Sequence, residues 1–504
     1  MHRKYSPNRL LPVRFPTILP ASTRSSFLRT MLICALLLAL LAALSTANSQ
    51  CESARYRSLP RVFVLTDISN EPDDQMSLVR FLTHANELDI QGIAAVTSTW
   101  LNHTTDLPTI HKVISAYGSV VDNLDANVPA DHPFPSADSL LAKTFTGQPV
   151  YGLDALNAQS PSNASLALIK ATDASTRPLW VLAWGGANVL AESLNIVKQE
   201  RDPDALADFV QKLRVYTISD QDDTGPWIRW NFPTLFYIVS IHGFSEYSIP
   251  TWIGISGELL RPFDKGGPDT SLITNEWLQD HIRIGALGSE YLNWTFQMEG
   301  DTPSFLSILP NGLNAPGHPE WGSWGGRYIL ADSSGRTSTY SDASDFVIGL
   351  NGDTFFSRYA SIWRWRRAFQ FDFAGRMQWT VNGDFSQVNH HPIVIVNETC
   401  SFDAMEISYK PGESVVLDAS ASYDPDGDRL SFDWFHYREV VQRLEGDIPR
   451  VSPDATFTEL NDAGSIVKVT PNNKISMHII LTVEDVRTPV NLTTYKRVIL
   501  NPNE

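Results

Sequence analysis

The sequence predicts an α/β domain with a doubly wound, mostly parallel sheet, followed by an all-β sandwich. From Arg61 the chain alternates short apolar strands with helical patterns, which is typical of a parallel sheet covered by helices on both faces. From His391 the apolar runs become short and alternating, with turn residues between them, which is typical of a sandwich. We therefore predict domains over residues 58–382 and 391–504.

The α/β prediction rests on a series of strand and helix pairs. The strand RVFVLTD precedes the helical pattern DQMSLVRFLTHANEL, IQGIAAVTST precedes TIHKVISAYGSVV, and LWVLAWGG precedes NVLAESLNIVKQ. LRVYTISD and YSIPTWIGIS continue the series. Ligands of such sheets bind beyond the carboxyl ends of the strands, so we expect a site in the loops after the strands.

Residues 1–48 predict a secretory signal peptide. A basic segment precedes the apolar run 31–44 and the small-residue stretch STANSQ, which is the order of such signals. A membrane span needs roughly 20 apolar residues, more than this run provides. We expect a secreted, extracellular protein without membrane contact after signal removal. The basic residues of the leader are Arg3, Lys4, Arg9, Arg14, Arg24 and Arg29.

The composition of the chain agrees with secretion. It is acidic, with 39 Lys+Arg against 56 Asp+Glu, so phosphate backbones repel it and nucleic acid is excluded as a partner. Outside the leader only Cys51 and Cys400 remain, and they form either one disulfide or two free thiols. Sequons predict a glycoprotein and begin at Asn102, Asn163, Asn293, Asn397 and Asn491.

The segment TDISNEPDDQ, residues 66–75, places four acids directly after the first strand. Carboxylates packed together repel one another, and a divalent cation ligated by oxygens removes that repulsion. Ca²⁺ accepts irregular oxygen sets of this kind. The alternative is that Asp73 and Asp74 only stabilise the start of a helix, where acids are favoured.

This segment resembles the D-x-D-x-G-x-D-D signature of the inosine–uridine nucleoside hydrolases. Asp67, Asp73 and Asp74 match its acids, whereas Ser69 replaces an acid and Glu71 falls on the glycine. The longer pattern TDI-x-x-E-PDDQ-x-S-x-VRFL is similar to secreted nucleoside hydrolase-like proteins known as cellulose-binding, in which the shifted acid is the usual pattern. The resemblance runs from about residue 60 to the C-terminus and implies a nucleoside hydrolase-like fold.

The resemblance also implies a calcium site. The segment LAWGGANVLAE, residues 182–192, resembles the one in which a strand-end carbonyl ligates calcium, a position that Trp184 occupies. The segment EGDTPSFL, residues 299–306, is similar to the secreted family and implies Asp301 as a late acidic ligand, with Glu299 beside it as a substrate contact. The implied calcium ligands are Asp67, Asp73, Asp74, Trp184 and Asp301.

Further candidates for substrate binding lie in two loops. Arg229-Trp230-Asn231 resembles the ribose-binding E-F-N of the nucleoside hydrolases, which implies sugar contacts from Asn231 and Trp230. The segment ISDQDD places Asp220 just after a strand, either as a substrate contact or in a solvated loop. Loop tryptophans either stack on sugar rings or anchor the loops; they are Trp227, Trp230, Trp321 and Trp324.

The C-terminal segment LDASASYDPDGDRLSFDWFHY, residues 417–437, resembles the polycystic-kidney-disease and related immunoglobulin-like modules. The resemblance implies an immunoglobulin-like sandwich with Trp434 in its core. Asp424, Asp426 and Asp428 surround Gly427, and turns are rich in Asp and Gly for backbone reasons alone. A structural turn is therefore the favoured interpretation, and a Ca²⁺-binding turn is the alternative.

Two functions follow from these residues. The first is a secreted hydrolase of N-glycosyl or related glycosidic bonds, in which Ca²⁺ assists water attack and Glu71 or Asp67 is the base. The second is a non-catalytic protein that binds cellulose or another cell-wall polysaccharide. The dense acidic loop favours catalysis, and Ser69 in place of an acid favours binding alone. The expected ligand is a small sugar, a nucleoside or a polysaccharide.

Overall fold

The computed structural model describes residues 51–441, 455–472 and 474–503. The predicted signal peptide lies outside these residues. The described residues from Ser53 onward form one compact unit. Within the described part of the chain, no helix is long and apolar enough to cross a membrane. Cys51 and Cys400 are both disulfide-bonded.

The large sheet has eight strands in the order β3-β2-β1-β4-β5-β6-β8-β7, and only the edge strand β7 is antiparallel to its neighbour. The predicted doubly wound, mostly parallel sheet is therefore confirmed. Its strands are β1 (Arg61–Thr66), β2 (Asp89–Ala95), β3 (Thr144–Thr146), β4 (Leu179–Ala183), β5 (Leu213–Thr217), β6 (Phe236–Val239), β7 (Tyr328–Leu330) and β8 (Thr339–Asp342).

Strand β1 lies at the centre of this sheet and is buried along its whole length. Val62 and Val64 belong to the apolar core on one face, and Phe63 and Leu65 belong to the core on the other. The chain adds β2 on one side of β1 and β4 on the other. The strand order therefore reverses at β1, and this is the point where ligands of such sheets bind.

Helices cover both faces of the sheet. Helices α1, α2 and α13 supply one core, and α5 to α8 supply the other. The helices are α1 (Pro72–Thr83), α2 (Leu107–Gly118), α3 (Val121–Asp125), α4 (Ala137–Leu141), α5 (Asn163–Asp173), α6 (Asn188–Glu200), α7 (Pro203–Gln211), α8 (Thr224–Asn231), α9 (Asn275–His281), α10 (Gly285–Gly288), α11 (Thr302–Leu306), α12 (Ala360–Trp363) and α13 (Arg366–Val381).

The C-terminal region is all-β, as predicted. A four-stranded sheet, β11-β17-β16-β13, and a three-stranded sheet, β12-β15-β14, contribute to one apolar core. The strands after β8 are β9 (Asp345–Ile348), β10 (Thr354–Ser357), β11 (Met405–Tyr409), β12 (Val415–Asp418), β13 (Leu430–His436), β14 (Ala455–Glu459), β15 (Ile466–Pro471), β16 (Met477–Asp485) and β17 (Thr493–Pro502). The immunoglobulin-like classification and the domain limits stay predictions.

The four-stranded sheet also packs against the α/β region. Along β16, Ile479 and Leu481 belong to the sandwich core, whereas Ile480 between them belongs to a core of the large sheet. Tyr495 joins that same core, and its backbone N–H donates to the Asn311 carbonyl at 2.9 Å. The two regions therefore share apolar residues and backbone hydrogen bonds.

Candidate active site and metal centre

The acidic segment is held in place by β1 and by the start of α1. Asp67 directly follows β1, and Pro72 occupies the first turn of α1, where its fixed φ and missing N–H are tolerated. Glu71 is the N-cap residue, but its side chain makes no capping hydrogen bond. It lines a cavity instead. The local fold therefore leaves the Glu71 carboxylate available to a ligand.

Four carboxyl groups converge at this point. Asp73, Asp74 and Asp301 each place one carboxylate oxygen within 4.8 Å of the other two. Asp67 is 2% exposed and lines the same cavity, which has a volume of about 360 Å³. Asp301 is the N-cap residue of the short helix α11, more than two hundred positions along the chain. The predicted acidic ligands therefore lie together.

Burial of like charges perturbs these acids. Burial, reinforced by the neighbouring charges of Glu71 and Asp67, raises the pKa of Asp73 to about 8. Burial raises the pKa of Asp67 to about 6. Burial and the surrounding aspartates hold the pKa of Asp74 and of Asp301 well above the usual range. The set therefore favours either bound protons or a cation that neutralises it.

Two buried carboxylate oxygen atoms in the cluster accept no hydrogen bond from the described residues. Within the described part of the chain, no donor reaches Asp67 Oδ2 or Asp301 Oδ2, and both atoms are buried. Buried polar atoms are normally satisfied, so these two fit direct contact with a cation. The backbone of Gly300 also lies close to the cluster, because a Cβ at this position would be 2.7 Å from Asp73 Oδ2. An all-oxygen set of this kind suits Ca²⁺.

Trp184, the predicted carbonyl ligand, lies at the end of β4 beside β1. Its indole is fully buried and donates to Ser304 Oγ at 2.8 Å. Its carbonyl accepts a hydrogen bond from Gln221 Nε2, and both residues line the cavity. The side chain is thus an anchor in the core, and the carbonyl contacts Gln221, another residue of the cavity lining.

The mouth of the cavity carries residues that the sequence interpretation did not single out. Trp100 and Phe296 are exposed there, and Tyr247 lines the wall. Burial raises the pKa of Glu71, and the opposite charge of Arg261 counteracts part of that rise. These residues come from loops far apart in the chain, so no local sequence pattern linked them. The cavity lining as a whole is Asp67, Asn70, Glu71, Asp73, Asp74, Trp100, Trp184, Ile218, Ser219, Gln221, Ser245, Tyr247, Trp252, Arg261, Phe296, Gly300 and Asp301.

Ser69, which replaces an acid of the nucleoside hydrolase signature, faces away from this cavity. Its hydroxyl donates to Asp106 and also contacts Thr109 Oγ1 at 3.2 Å. Its φ of 79° lies in the left-handed region that few non-glycine residues adopt. The backbone turn therefore carries this position outward, and Ser69 is absent from the cavity lining.

The predicted substrate contacts lie outside the acidic cavity. Trp230 is 87% exposed, and Asn231 accepts a hydrogen bond from Lys198 at 3.0 Å. Glu299 is fully buried and pairs with Arg80 at 2.6 Å. Asp220 forms a bidentate pair with Arg229 and lines an adjoining recess. Of these four residues, only Asp220 lies near the mouth of the cavity.

Trp324 and the aspartate turn have structural partners. Trp324 is buried and packs edge to face on Tyr495, as expected of a loop anchor. In the C-terminal turn, Asp424 Oδ1 accepts from the backbone N–H groups of Asp426 and Asp428 at 2.8 and 3.2 Å. These bonds support the structural-turn interpretation. The three carboxylates also lie within 4.8 Å of one another, so the calcium alternative stays a prediction.

The fold and the acidic cavity define a nucleoside hydrolase-like α/β protein. Residues 61–328 match the family described as cellulose-binding Sde182, nucleoside hydrolase-like domain, and residues 414–502 match cellulose-binding protein Sde0182, C-terminal domain. The chain belongs to this family, which confirms the resemblance found in the sequence.

A solved structure supports the same assignment. It is a nucleoside hydrolase-related hypothetical protein from Saccharophagus degradans that is associated with carbohydrate metabolism. The two sequences are 32% identical, the TM-score is 0.71, and the match covers 88% of this chain and 100% of that one.

More distant structures are also similar. An inosine–uridine preferring nucleoside hydrolase from Bacillus anthracis is 13% identical, with a TM-score of 0.29, and the match covers 64% of this chain and 100% of that one. The effector protein XOO4466 is 11% identical, also with a TM-score of 0.29, and the match covers 67% of this chain and 97% of that one. A search of curated proteins finds no significant match.

Proposed function

We propose that this chain is a secreted hydrolase of N-glycosyl or related glycosidic bonds, and that it acts in the acidic cavity with Ca²⁺ bound. The observation that carries the proposal is the convergence of four buried carboxyl groups, two of them with unsatisfied oxygens, where the strand order reverses. The cost of burying these groups without a counter-charge is large. A bound cation would supply that counter-charge and offset the cost.

The residues that would hold the ion are those whose oxygens meet in the cavity. When bound, Ca²⁺ would orient sugar hydroxyls and make a coordinated water more acidic. Its proposed ligands are Asp67, Asp73, Asp74 and Asp301, together with the carbonyl of Trp184.

Other residues of the cavity would act as the base and as contacts for the sugar. Glu71 is half-buried at the mouth, and its carboxylate is the proposed acceptor of the proton from the attacking water, with Asp67 as the second candidate. The aromatic rings of Trp100 and Phe296 would pack on the apolar face of the sugar. This enclosure would position the anomeric carbon while positive charge develops on it.

A second candidate function is binding of carbohydrate without turnover. The observation that favours it is the outward orientation of Ser69, since the carboxylate of the nucleoside hydrolase signature at that position is missing. The family description, cellulose-binding, supports it as well. In this case the cavity would hold a sugar and the metal, and no bond would break.

The deciding experiment is a hydrolysis screen of the exported protein with nucleosides and glycosides, at saturating Ca²⁺ and after chelation. The hydrolase proposal expects turnover that chelation abolishes and that Asp301→Asn reduces. The matched control is Asp208→Asn, which changes an exposed acid on α7 and should leave the rate unchanged. Sugar binding without any turnover would favour the second candidate. Secretion is tested separately, by sequencing the N-terminus of the exported protein, which should begin close to Ser49.

A further inference from the structure

Arg261 is the one cation among the described residues that line the acidic cavity, and every other charged residue of that lining is an acid. It follows the short helical turn Gly257–Leu259, and its backbone N–H donates to the Gly257 carbonyl at 2.9 Å. The chain therefore fixes a positive charge at a cavity whose other charged groups are negative.

Three residues of the cavity lining surround the guanidinium group of Arg261. Its Nη1 donates to the Tyr247 carbonyl, and its Cζ lies 5.0 Å from the centre of the Phe296 ring. The acid that acts most strongly on the charge of Arg261 is Glu71. Within the described part of the chain, however, these two side chains form no ion pair within 4.0 Å. The charged end of Arg261 therefore lies at the cavity and is not occupied by a carboxylate.

Arg261 lies at the mouth of the cavity, whereas the proposed metal ligands form its floor. Asp67 and Asp301 are 2% and 3% exposed. Arg261 is half-buried, and the Phe296 ring beside it is 42% exposed. A sugar whose hydroxyls reach a cation at the floor would therefore direct the rest of the substrate toward the mouth, where Arg261 lies.

We propose that Arg261 is a catalytic residue that stabilises the leaving group while the glycosidic bond breaks. This role rests on the proposed function. In the step, the water oxygen bonds to the anomeric carbon, and the water gives one proton to Glu71. The bond from the anomeric carbon to the leaving atom breaks, and its electron pair stays on that atom. The departing anion is held by Arg261 and then takes a proton from solvent, to which Glu71 returns its own, so that one water is consumed.

The rest of the lining favours a fixed positive charge over a proton donor. No histidine is among the described residues of the lining. Burial raises the pKa of Tyr247 to about 12, so its hydroxyl is a poor proton donor near neutral pH. A guanidinium group has several N–H donors, and one of those of Arg261 is bound to the Tyr247 carbonyl. The other donors can meet negative charge as it develops on the leaving atom.

The alternative is a structural role, in which Arg261 only packs on Phe296 and offsets a nearby negative charge. Arg214 provides a matched control for that role. Its Cζ lies 5.2 Å from the centre of the Phe236 ring, and its Nη1 donates to two backbone carbonyls at 2.8 Å. Arg214 lies on β5 and is not part of the cavity lining. Its replacement therefore removes the same kind of packing without touching the site.

The test compares kcat for phenyl and 4-nitrophenyl β-glycosides of ribose, xylose and glucose at saturating Ca²⁺. Uridine and 5-fluorouridine make the same comparison for an N-glycosyl bond. The unsubstituted leaving group of each pair is the stronger base and needs more stabilisation as it departs. Arg261→Gln should therefore lower kcat about 10²–10³-fold for the phenyl glycosides or uridine, and less than about tenfold for their substituted partners. Arg261→Lys keeps the charge and should recover part of the loss, and Arg214→Gln should change neither rate.

The outcomes separate this role from the proposed function. Equal losses for the two leaving groups of a pair, or no loss at all, in a folded Arg261→Gln protein would overturn the role of Arg261 and leave the hydrolase standing. If wild type hydrolyses none of these glycosides or nucleosides, the proposed hydrolase is refuted and the leaving-group role with it. Melting temperatures and Ca²⁺ affinity check the folding of each variant. If Arg261→Gln does not fold, Arg261→Lys decides, because lysine loses the planar set of donors and should still cost more for the stronger base.

Discussion

The hydroxyl of Ser69 donates a hydrogen bond to Asp106 Oδ2 at 2.5 Å, outside the acidic cavity. Asp106 is also the N-cap of α2, where it accepts from the Thr109 backbone N–H at 3.0 Å. Ser69 therefore ties the loop after β1 to the start of α2. The position at which the nucleoside hydrolase signature has an acid is here used for local structure.

We predict that Ser69→Ala changes stability and not function. Loss of one side-chain hydrogen bond should lower the free energy of unfolding by about 1 kcal/mol, while ligand affinity and any turnover stay within about twofold. Ser69→Asp should lower stability further, because it places a second carboxylate beside Asp106. Denaturant unfolding and a binding titration measure both effects. A tenfold loss of affinity or turnover in Ser69→Ala would mean that Ser69 reaches the ligand after all.

The pH dependence of stability should differ between the metal-free protein and the protein with Ca²⁺ bound. The pKa of Asp73 is raised to about 8 and that of Asp67 to about 6, above their values in the unfolded chain. The folded, metal-free protein therefore binds more protons than the unfolded chain does. The stability that these two groups contribute to the metal-free protein is greatest below about pH 4. It is lost as the pH rises through 6 to 8.

We therefore expect protein treated with a chelator to unfold at a lower temperature at pH 8 than at pH 5, and Ca²⁺ to restore most of the difference. Since Ca²⁺ competes with protons, its affinity should rise over the same interval. Asp73→Asn should flatten the pH dependence of the metal-free protein, and Asp208→Asn should not. Equal melting temperatures at the two pH values without metal would contradict the assignment.

Glu299 should matter for stability rather than for substrate affinity. It is fully buried, pairs with Arg80, and accepts hydrogen bonds from Tyr291 and Thr302. Glu299→Gln leaves the Arg80 charge without its counter-ion, which typically costs about 3–5 kcal/mol. Measured by denaturant unfolding, that loss should come with an unchanged ligand affinity in the folded fraction. A raised Kd at unchanged stability would restore Glu299 to the substrate contacts.

The all-β region should fold without the α/β region, whereas the α/β region should be less stable without the all-β region. Residues 391–504 have a core of their own, so expressed alone they should unfold cooperatively with strand-rich circular dichroism. Residues 53–390 alone should be less stable and should show red-shifted tryptophan fluorescence, because Trp324 and Trp365 lose their contacts with Tyr495. A disordered C-terminal fragment, or an unchanged N-terminal one, would contradict this description.

The sequence was sufficient for the sheet, the all-β region and the acidic centre, because each produces a local pattern. Strand β1 is a mostly apolar run that Asp67 directly follows, and α1 begins within a few residues. The assignment of Asp301 to the same centre came from a family resemblance, since nothing local to Asp301 indicates its partners.

The substrate contacts were harder to predict because they depend on tertiary packing. Glu299 lies only two residues from Asp301, yet the turn between them directs it to Arg80 in the core. The aromatic mouth is built from Trp100, Tyr247 and Phe296, which lie on separate loops. No spacing rule links such residues. Likewise, the outward turn at Ser69 depends on a positive φ that a serine rarely adopts.

We propose that the acidic cavity hydrolyses a glycosidic bond with a carboxylate base beside the bound metal. The most direct test compares kcat and Ca²⁺ affinity in wild type, Glu71→Gln and Asp73→Asn on whichever nucleoside or glycoside the screen identifies. We predict that Glu71→Gln lowers kcat by about 10²–10⁴-fold with little change in Ca²⁺ affinity, whereas Asp73→Asn weakens Ca²⁺ binding and turnover together. Turnover that survives Glu71→Gln would move the base to Asp67. The absence of any turnover, with sugar binding intact, would refute the proposed hydrolase activity.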